Sequence, residues 1–199
     1  VILAAGKGSR LQSITTDRSK AMLPILGKPI VERIMEQLIT NGIRDLILVI
    51  SPEDRHIARY FNRESRLSAD IRFVYQPQRK GMADALRWAE PLIEGDFILT
   101  ACDNLTSAEH IGVMLQSWQE EPRANAILTL MRMPVEALSS TGVVVMQGKQ
   151  VIRIIEKPSP GQAPSDIASL PLYLFTPSLL EYLDDLLPPA GRISMVAEG

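Results

Sequence analysis

The sequence opens Val1-Ile2-Leu3-Ala4-Ala5-Gly6-Lys7-Gly8-Ser9-Arg10-Leu11, and this stretch decides the reading of the fold. Five apolar residues without polar alternation are the pattern of a strand covered on both faces, as in the middle of a parallel sheet. The run stops at two glycines, a lysine and an arginine. Glycine lets the backbone approach a ligand closely, and successive inward N–H groups form a nest for anions. Lys7 and Arg10 add full positive charge, and the planar guanidinium fork of Arg10 matches phosphate oxygens. A strand ending in such a loop is a candidate triphosphate site.

Two common phosphate loops do not fit. The Walker loop needs Gly-x4-Gly-Lys-Ser/Thr, which is missing here. The dinucleotide fingerprint needs a third glycine where Leu11 stands, and the second strand ends in Ile50-Ser51-Pro52 without an acid for a ribose.

Working outward, strands and helices alternate. Strands are expected over residues 1–5, 45–51, 71–75, 96–101, 126–132, 142–146, 151–156 and 167–175. Apolar residues at helical spacing predict helices over 29–40, 53–62, 81–93, 107–119 and 177–187. Alternation of this kind predicts an α/β fold: three layers, α/β/α, around a Rossmann-like mixed, mostly parallel sheet. Ligands of such sheets sit beyond the carboxyl ends of the strands. The glycine loop and Asp103, just after Phe97-Ile98-Leu99-Thr100, both fall at strand carboxyl ends.

A second segment follows the loop: Ser19-Lys20-Ala21-Met22-Leu23-Pro24-Ile25-Leu26-Gly27-Lys28-Pro29. Together the two resemble the signature of the sugar-1-phosphate nucleotidylyltransferases, L-A-A-G-x-G-x-R-L followed by P-K-x-L-L-P-x-x-G-K-P. Ser19 stands in place of a proline and Met22 in place of a leucine, while Lys20 is kept. Later motifs extend the resemblance over nearly the whole chain. Gln76 to Ala85 resembles the base-binding segment Q-x(n)-G-x-A-x-A. Ile155-Glu156-Lys157-Pro158 resembles E-K-P. Ser169-Leu170-Pro171-Leu172-Tyr173 stands where the family has N-x-G-x-Y, with Ser169 for Asn and Pro171 for Gly.

The resemblance implies an enzyme that moves a nucleoside monophosphate from an NTP to a sugar-1-phosphate and releases pyrophosphate. It implies dTTP or UTP as the nucleotide, glucose-1-phosphate as the acceptor, and Mg²⁺ as the cofactor. It assigns Arg10 and Lys20 to catalysis at the phosphates, where cations stabilise charge moving onto the leaving group. Leu3, Ala4, Ala5, Gly6, Lys7, Gly8, Gln76 and Gly81 would bind the nucleotide, Leu3 and Ala4 through their backbone. Gly142, Glu156, Lys157 and Ser169 would bind the sugar phosphate. Asp103 would hold the metal, a hard cation that seeks oxygen; Cys102 replaces the glycine usual before it. Two other readings stay open: another phosphorylated acceptor, such as mannose-1-phosphate or choline phosphate, and a non-catalytic nucleotide- or sugar-binding module.

Composition bounds the rest. The 199 residues carry a formal net charge of −2, so no global field favours nucleic acid or an acidic membrane. Cys102 is the single cysteine, which excludes an intrachain disulfide framework and suits a reducing cytoplasm. It reads as a small buried residue rather than a nucleophile. His56 and His110 read as structural or surface residues. No apolar run approaches the length of a membrane span and no signal peptide is read. One nucleotidyltransferase domain over residues 1–199 is expected, starting a few residues into the natural chain. No residue matches the family's second metal carboxylate, which is expected either to be absent or to lie beyond residue 199. NTP and sugar-1-phosphate are the expected partners; self-association into a homo-oligomer is left open.

Overall fold

The computed structural model describes residues 1–6 and 19–186. The first strand, β1 (Ile2–Leu3), is followed by a 3₁₀ turn at Lys20–Met22 and a small hairpin, β2 (Pro24–Ile25) and β3 (Lys28–Pro29). Then come α1 (Ile30–Thr40), β4 (Asp45–Ile50), α2 (Arg55–Arg63), β5 (Asp70–Tyr75), α3 (Met82–Ala89), β6 (Phe97–Ala101) and α4 (Ala108–Glu120). The last part holds β7 (Ala126–Arg132), α5 (Val135–Leu138), β8 (Gly142–Gln147), β9 (Gln150–Glu156), β10 (Ile167–Phe175) and α6 (Leu183–Leu186).

The main sheet runs β5-β4-β1-β6-β10-β8-β9, with β7 also paired to β10. One half is parallel: β1 lies between β4 and β6, and β4 pairs with β5. The other half is antiparallel, because β10 opposes β6, β7 and β8, and β9 opposes β8. β7 and β8 therefore run the same way as β6, and β9 and β10 are the strands of the main sheet that run against it. The sheet is mixed and mostly parallel, as expected.

Strand alternation separates two cores. Ile2, Leu46, Leu48, Ile50 and Ile98 face one side and pack with Val31, Ile34, Met35 and Leu38 of α1, Ile57 and Phe61 of α2, and Ile111 and Met114 of α4. Leu3, Ile47, Val49, Phe97 and Leu99 face the other side, against Ala85, Leu86 and Ala89 of α3 and Leu183 of α6. Helices cover both faces, which gives the three layers. The first side also holds a buried carboxylate: Glu32 of α1 accepts a hydrogen bond from the Tyr60 hydroxyl of α2 and another, at 3.2 Å, from Ser65.

Several boundaries differ from the sequence reading. The helix expected over 81–93 stops at Ala89 and continues as a 3₁₀ turn, Glu90–Leu92. Pro91 is the cause: it has no N–H to donate, and its ring crowds the carbonyl one turn back. The segment at 177–187 is a 3₁₀ stretch, Pro177–Tyr182, that relaxes into α6 only at its end. Pro52 likewise makes the start of the second expected helix a 3₁₀ turn, Pro52–Asp54, capped by the Ser51 side chain.

The β2–β3 hairpin was absent from the sequence reading. Its two-residue turn, Leu26-Gly27, has positive φ at both positions, 49° and 80°. That is the pattern of a type I′ turn, which matches strand twist but strains a non-glycine residue. Arg33 of α1 offsets the strain by donating to the carbonyls of Ile25 and Leu26.

Leu48 is fully buried and lies at the centre of β4, in register with Ile2 of β1 and Phe73 of β5. Leu48→Ala should therefore cost about 2–5 kcal/mol. Urea unfolding checks this: the midpoint should fall while the slope stays unchanged.

Candidate active site

The candidate residues gather at the carboxyl edge of the parallel strands. At the end of β1, the Ala4 N–H donates to the Val49 carbonyl at 2.7 Å, and the Leu3 carbonyl accepts from Cys102 N–H at 2.9 Å. These bonds knit β1 to β4 and β6, and the side chains of Leu3, Ala4 and Ala5 are buried. A ligand could reach these residues only through their remaining backbone groups. A side chain at position 6 would meet no described atom within 4 Å. Lys7, Gly8 and Arg10 lie outside the described residues.

Lys20 is placed by its own turn. Met22 N–H donates to the Ser19 carbonyl and Leu23 N–H to the Lys20 carbonyl, while Ala21 is fully buried. Ile30 N–H then bonds the Leu23 carbonyl at 2.9 Å, tying the turn to the start of α1. Across from it, β6 ends at Ala101, Cys102 turns into the core, and Asp103 turns out. Lys20 Nζ and Asp103 Oδ2 form an ion pair, with the two side chains 26% and 35% exposed. Residues 83 positions apart thus meet where the turn before α1 faces the end of β6. Asn104 Nδ2, on the next residue, is buried without a hydrogen-bond partner among the described residues.

Gln76 follows β5 and is only 3% exposed. Its amide nitrogen donates to Asp84 Oδ2 at 2.7 Å and to the Gly81 carbonyl at 3.3 Å. Its donor is thus engaged inside the protein. Gly81 caps α3 with φ 93°, a conformation that asks for glycine.

The sugar-side candidates form one row. Gly142 opens β8 and is in register with Glu156 on one side and Ser169 on the other. An added Cβ on Gly142 would lie 2.8 Å from Glu156 Oε2, so glycine is what lets that carboxylate sit against the strand. Lys157 ends β9 in the left-handed region, at φ 43°, and its N–H bonds the Thr141 carbonyl at 3.1 Å. Ser169 Oγ donates to the Tyr173 hydroxyl at 3.3 Å. Burial pushes the Tyr173 phenol up, the Ser169 hydrogen bond pulls it down, and the Glu156 charge raises it further. Pro171 lies where the β10–β7 register slips, between Leu170 and Tyr173; without an N–H it leaves a gap in the ladder. Because β10 runs against β6, Ser169 near its start lies toward the Asp103 end of β6. Both groups of candidates therefore share one sheet edge.

The family model for nucleotidyl transferases matches residues 1–196. The chain belongs to the nucleotidyl transferase family. It is similar to the UTP–glucose-1-phosphate uridylyltransferase AglF of Haloferax volcanii, 33% identical over 193 residues that cover 96% of this chain and 77% of the relative. It is also similar to the UTP–glucose-1-phosphate uridylyltransferase of Streptococcus pneumoniae serotype 4, 29% identical over 223 residues, covering 96% of this chain and 75% of the relative. Among solved structures, a UDP-glucose pyrophosphorylase complexed with UDP-glucose superposes with a TM-score of 0.83 at 26% identity, over 94% of this chain and 79% of that one. A UTP-bound UGPase from Acinetobacter baumannii shares the fold, with a TM-score of 0.81 at 20% identity over 93% of this chain and 76% of its own.

In this nucleotidyltransferase the structure also supplies a residue that sequence reading missed. Arg79, between Gln76 and Gly81, donates from Nε to the Ala5 carbonyl at 2.7 Å. Its signal was the acidic pair Glu53-Asp54 after β4, read only as a helix start. Of the two histidines, His110 Nε2 is 3.0 Å from Thr129 Oγ1, joining α4 to β7, and His56 is exposed on α2. No helix among the described residues is long and apolar enough to cross a membrane.

Cys102 is no nucleophile. Burial, reinforced by the Asp103 charge and opposed by Lys20, pushes its thiol up to about 12. Only the thiolate is reactive, so iodoacetamide at pH 8 should label the native chain slower by roughly two orders of magnitude than the urea-unfolded chain. Mass spectrometry of the single cysteine reads the result, and comparable rates would contradict the placement.

Proposed function

We propose that this enzyme joins the nucleoside monophosphate unit of UTP or dTTP to glucose-1-phosphate. The single observation that carries this reading is the shared edge, with the Lys20–Asp103 pair on one side of it and the Gly142, Glu156, Lys157 and Ser169 row on the other. A phosphate oxygen of the sugar phosphate attacks the α-phosphorus of the nucleotide. The bond from that phosphorus to the bridging oxygen of the β-phosphate breaks, and pyrophosphate leaves. No covalent enzyme intermediate is needed.

The chain's own residues then have defined tasks. Lys20, together with Arg10, neutralises charge that builds up on the leaving pyrophosphate. Gln76 and Gly81, with Leu3, Ala4, Ala5, Gly6, Lys7 and Gly8, hold the base and phosphates. Glu156 accepts from sugar hydroxyls, Lys157 holds the sugar phosphate, and Ser169 completes the pocket. Ser169 and Pro171 reshape this side relative to the family pattern, so the acceptor's identity is where this enzyme can differ. Residues 1–199 act as one unit, in a reducing cytoplasm that keeps Cys102 free.

Mg²⁺ fits Asp103. The carboxylate is a hard oxygen donor at a strand end and is partly exposed. Among the described residues no group of three or more His, Cys, Asp or Glu could hold a metal ion. Mg²⁺ commonly takes one or two carboxylates and completes its shell with substrate phosphates and water. When bound, the ion would neutralise phosphate charge during the displacement.

The test is a panel of four NTPs and dTTP against glucose-1-phosphate, mannose-1-phosphate and choline phosphate, read by product mass and pyrophosphate release. UDP-glucose or dTDP-glucose should dominate; nucleotide binding without any turnover would make the chain a binding module. Asp103→Asn should abolish Mg²⁺-dependent turnover and shift metal-free stability by no more than about 1 kcal/mol, since part-exposed ion pairs contribute little. Thermal melting without metal checks the second half.

Gly142→Ala addresses the sugar side. Its methyl would displace the Glu156 carboxylate, so KM for the sugar phosphate should rise roughly tenfold, the scale of one lost charge-assisted hydrogen bond, with KM for the NTP unchanged. Steady-state kinetics with each substrate varied in turn separates the two.

A further inference from the structure

Arg79 joins three strand ends. Its Nε donates to the Ala5 carbonyl, after β1, at 2.7 Å. Its Nη2 lies 3.2 Å from Glu53 Oε2 and 3.7 Å from Asp54 Oδ2, after β4. Arg79 itself belongs to the connection between β5 and α3. These are the three neighbouring parallel strands on the nucleotide side of the sheet. The Arg79 side chain is 24% exposed and Asp54 is buried. Burial pushes the Asp54 carboxyl up, and the charges of His56 and Arg79 pull it back down.

The peptide between Ala5 and Gly6 gives this arrangement its meaning. A trans peptide is planar, and its C=O and N–H point in opposite directions. Arg79 fixes the Ala5 carbonyl on its own side, so the Gly6 N–H is presented to the other side. Position 6 has open space around it among the described residues. The two acids meanwhile hold the second arm of the guanidinium and offset its charge, which leaves Arg79 poorly suited to gripping phosphate itself.

We propose that Arg79 is a positioning residue for the nucleoside triphosphate: it sets the Ala5–Gly6 peptide so that the Gly6 N–H is offered to the phosphates, while Glu53 and Asp54 keep its own charge engaged. This rests on the nucleotide reading above. It needs the fork geometry, because one arm holds a carbonyl and the other holds carboxylates. Lysine, a single point charge, cannot do both.

The experiment is calorimetric titration of UTP, and separately of glucose-1-phosphate, into the wild-type chain, Arg79→Lys and Arg79→Ala at two ionic strengths. Arg79→Lys guards against loss of fold in the alanine variant. Both variants should weaken UTP roughly tenfold or more, the scale of a lost hydrogen bond to a charged group. Glucose-1-phosphate affinity should hold, and the salt dependence of UTP binding should keep its wild-type slope. Wild-type UTP affinity in Arg79→Lys overturns the proposal. So does a shallower salt dependence, which would make Arg79 a direct phosphate contact. Failure of the underlying reading looks different: the wild-type chain itself would not take up UTP, and the proposal falls with it.

Discussion

The hydrogen bonds that hold Ile2 and Leu3 between β4 and β6 are the constraint on which the site depends. Ile2 is in register with both Leu48 and Thr100, and Leu3 with both Val49 and Ala101. A strand of two residues has little backbone to pair, so its position rests on burial from both faces. Ile2 goes into one core and Leu3 into the other. With that register set, Ala5, Ser51 and Cys102 must all emerge at the same edge. One residue of slip would exchange the two faces and put the apolar side chains of β1 into the wrong cores.

The charges at that edge are arranged to be exchanged. Lys20 and Asp103 satisfy each other, and their partial exposure keeps the pairing shallow in energy. On the proposed reading, a triphosphate replaces Asp103 as the partner of Lys20, and a divalent cation replaces Lys20 as the partner of Asp103. Each incoming charge compensates for the contact it disrupts. A deeply buried pair in the same place would resist that replacement, since separating buried charges is costly.

Much of this was legible in the sequence, for identifiable reasons. The runs at 46–50 and 97–99 are continuously apolar because their strands are covered on both sides, and such runs are hard to mistake. Lys20, Asp103 and Glu156 were legible through short motifs with fixed spacing. The β2–β3 hairpin was not, because two-residue strands carry no period to read and Leu26 is an unusual residue for a left-handed turn. The break at Pro91 shows a local rule, the missing proline N–H, overriding apolar periodicity. The engagement of the Gln76 donor by Asp84, and the reach of Arg79 to Ala5, depend on packing across three loops. No local pattern encodes them.

β10 carries one further implication, for how the chain is made. It is the strand that covers the outer side of β6, with Phe175 beside Phe97 and Leu172 beside Thr100, and it also bonds β7 and β8. During synthesis from the N-terminus, the parallel half can assemble once β6 has emerged. Its edge then faces water until β10 arrives. An uncovered strand edge is a template for pairing with another chain, and long-range pairing is slow to form. The interval between translation of β6 and of β10 is therefore the window in which nascent chains are most exposed to mispairing and most in need of a chaperone.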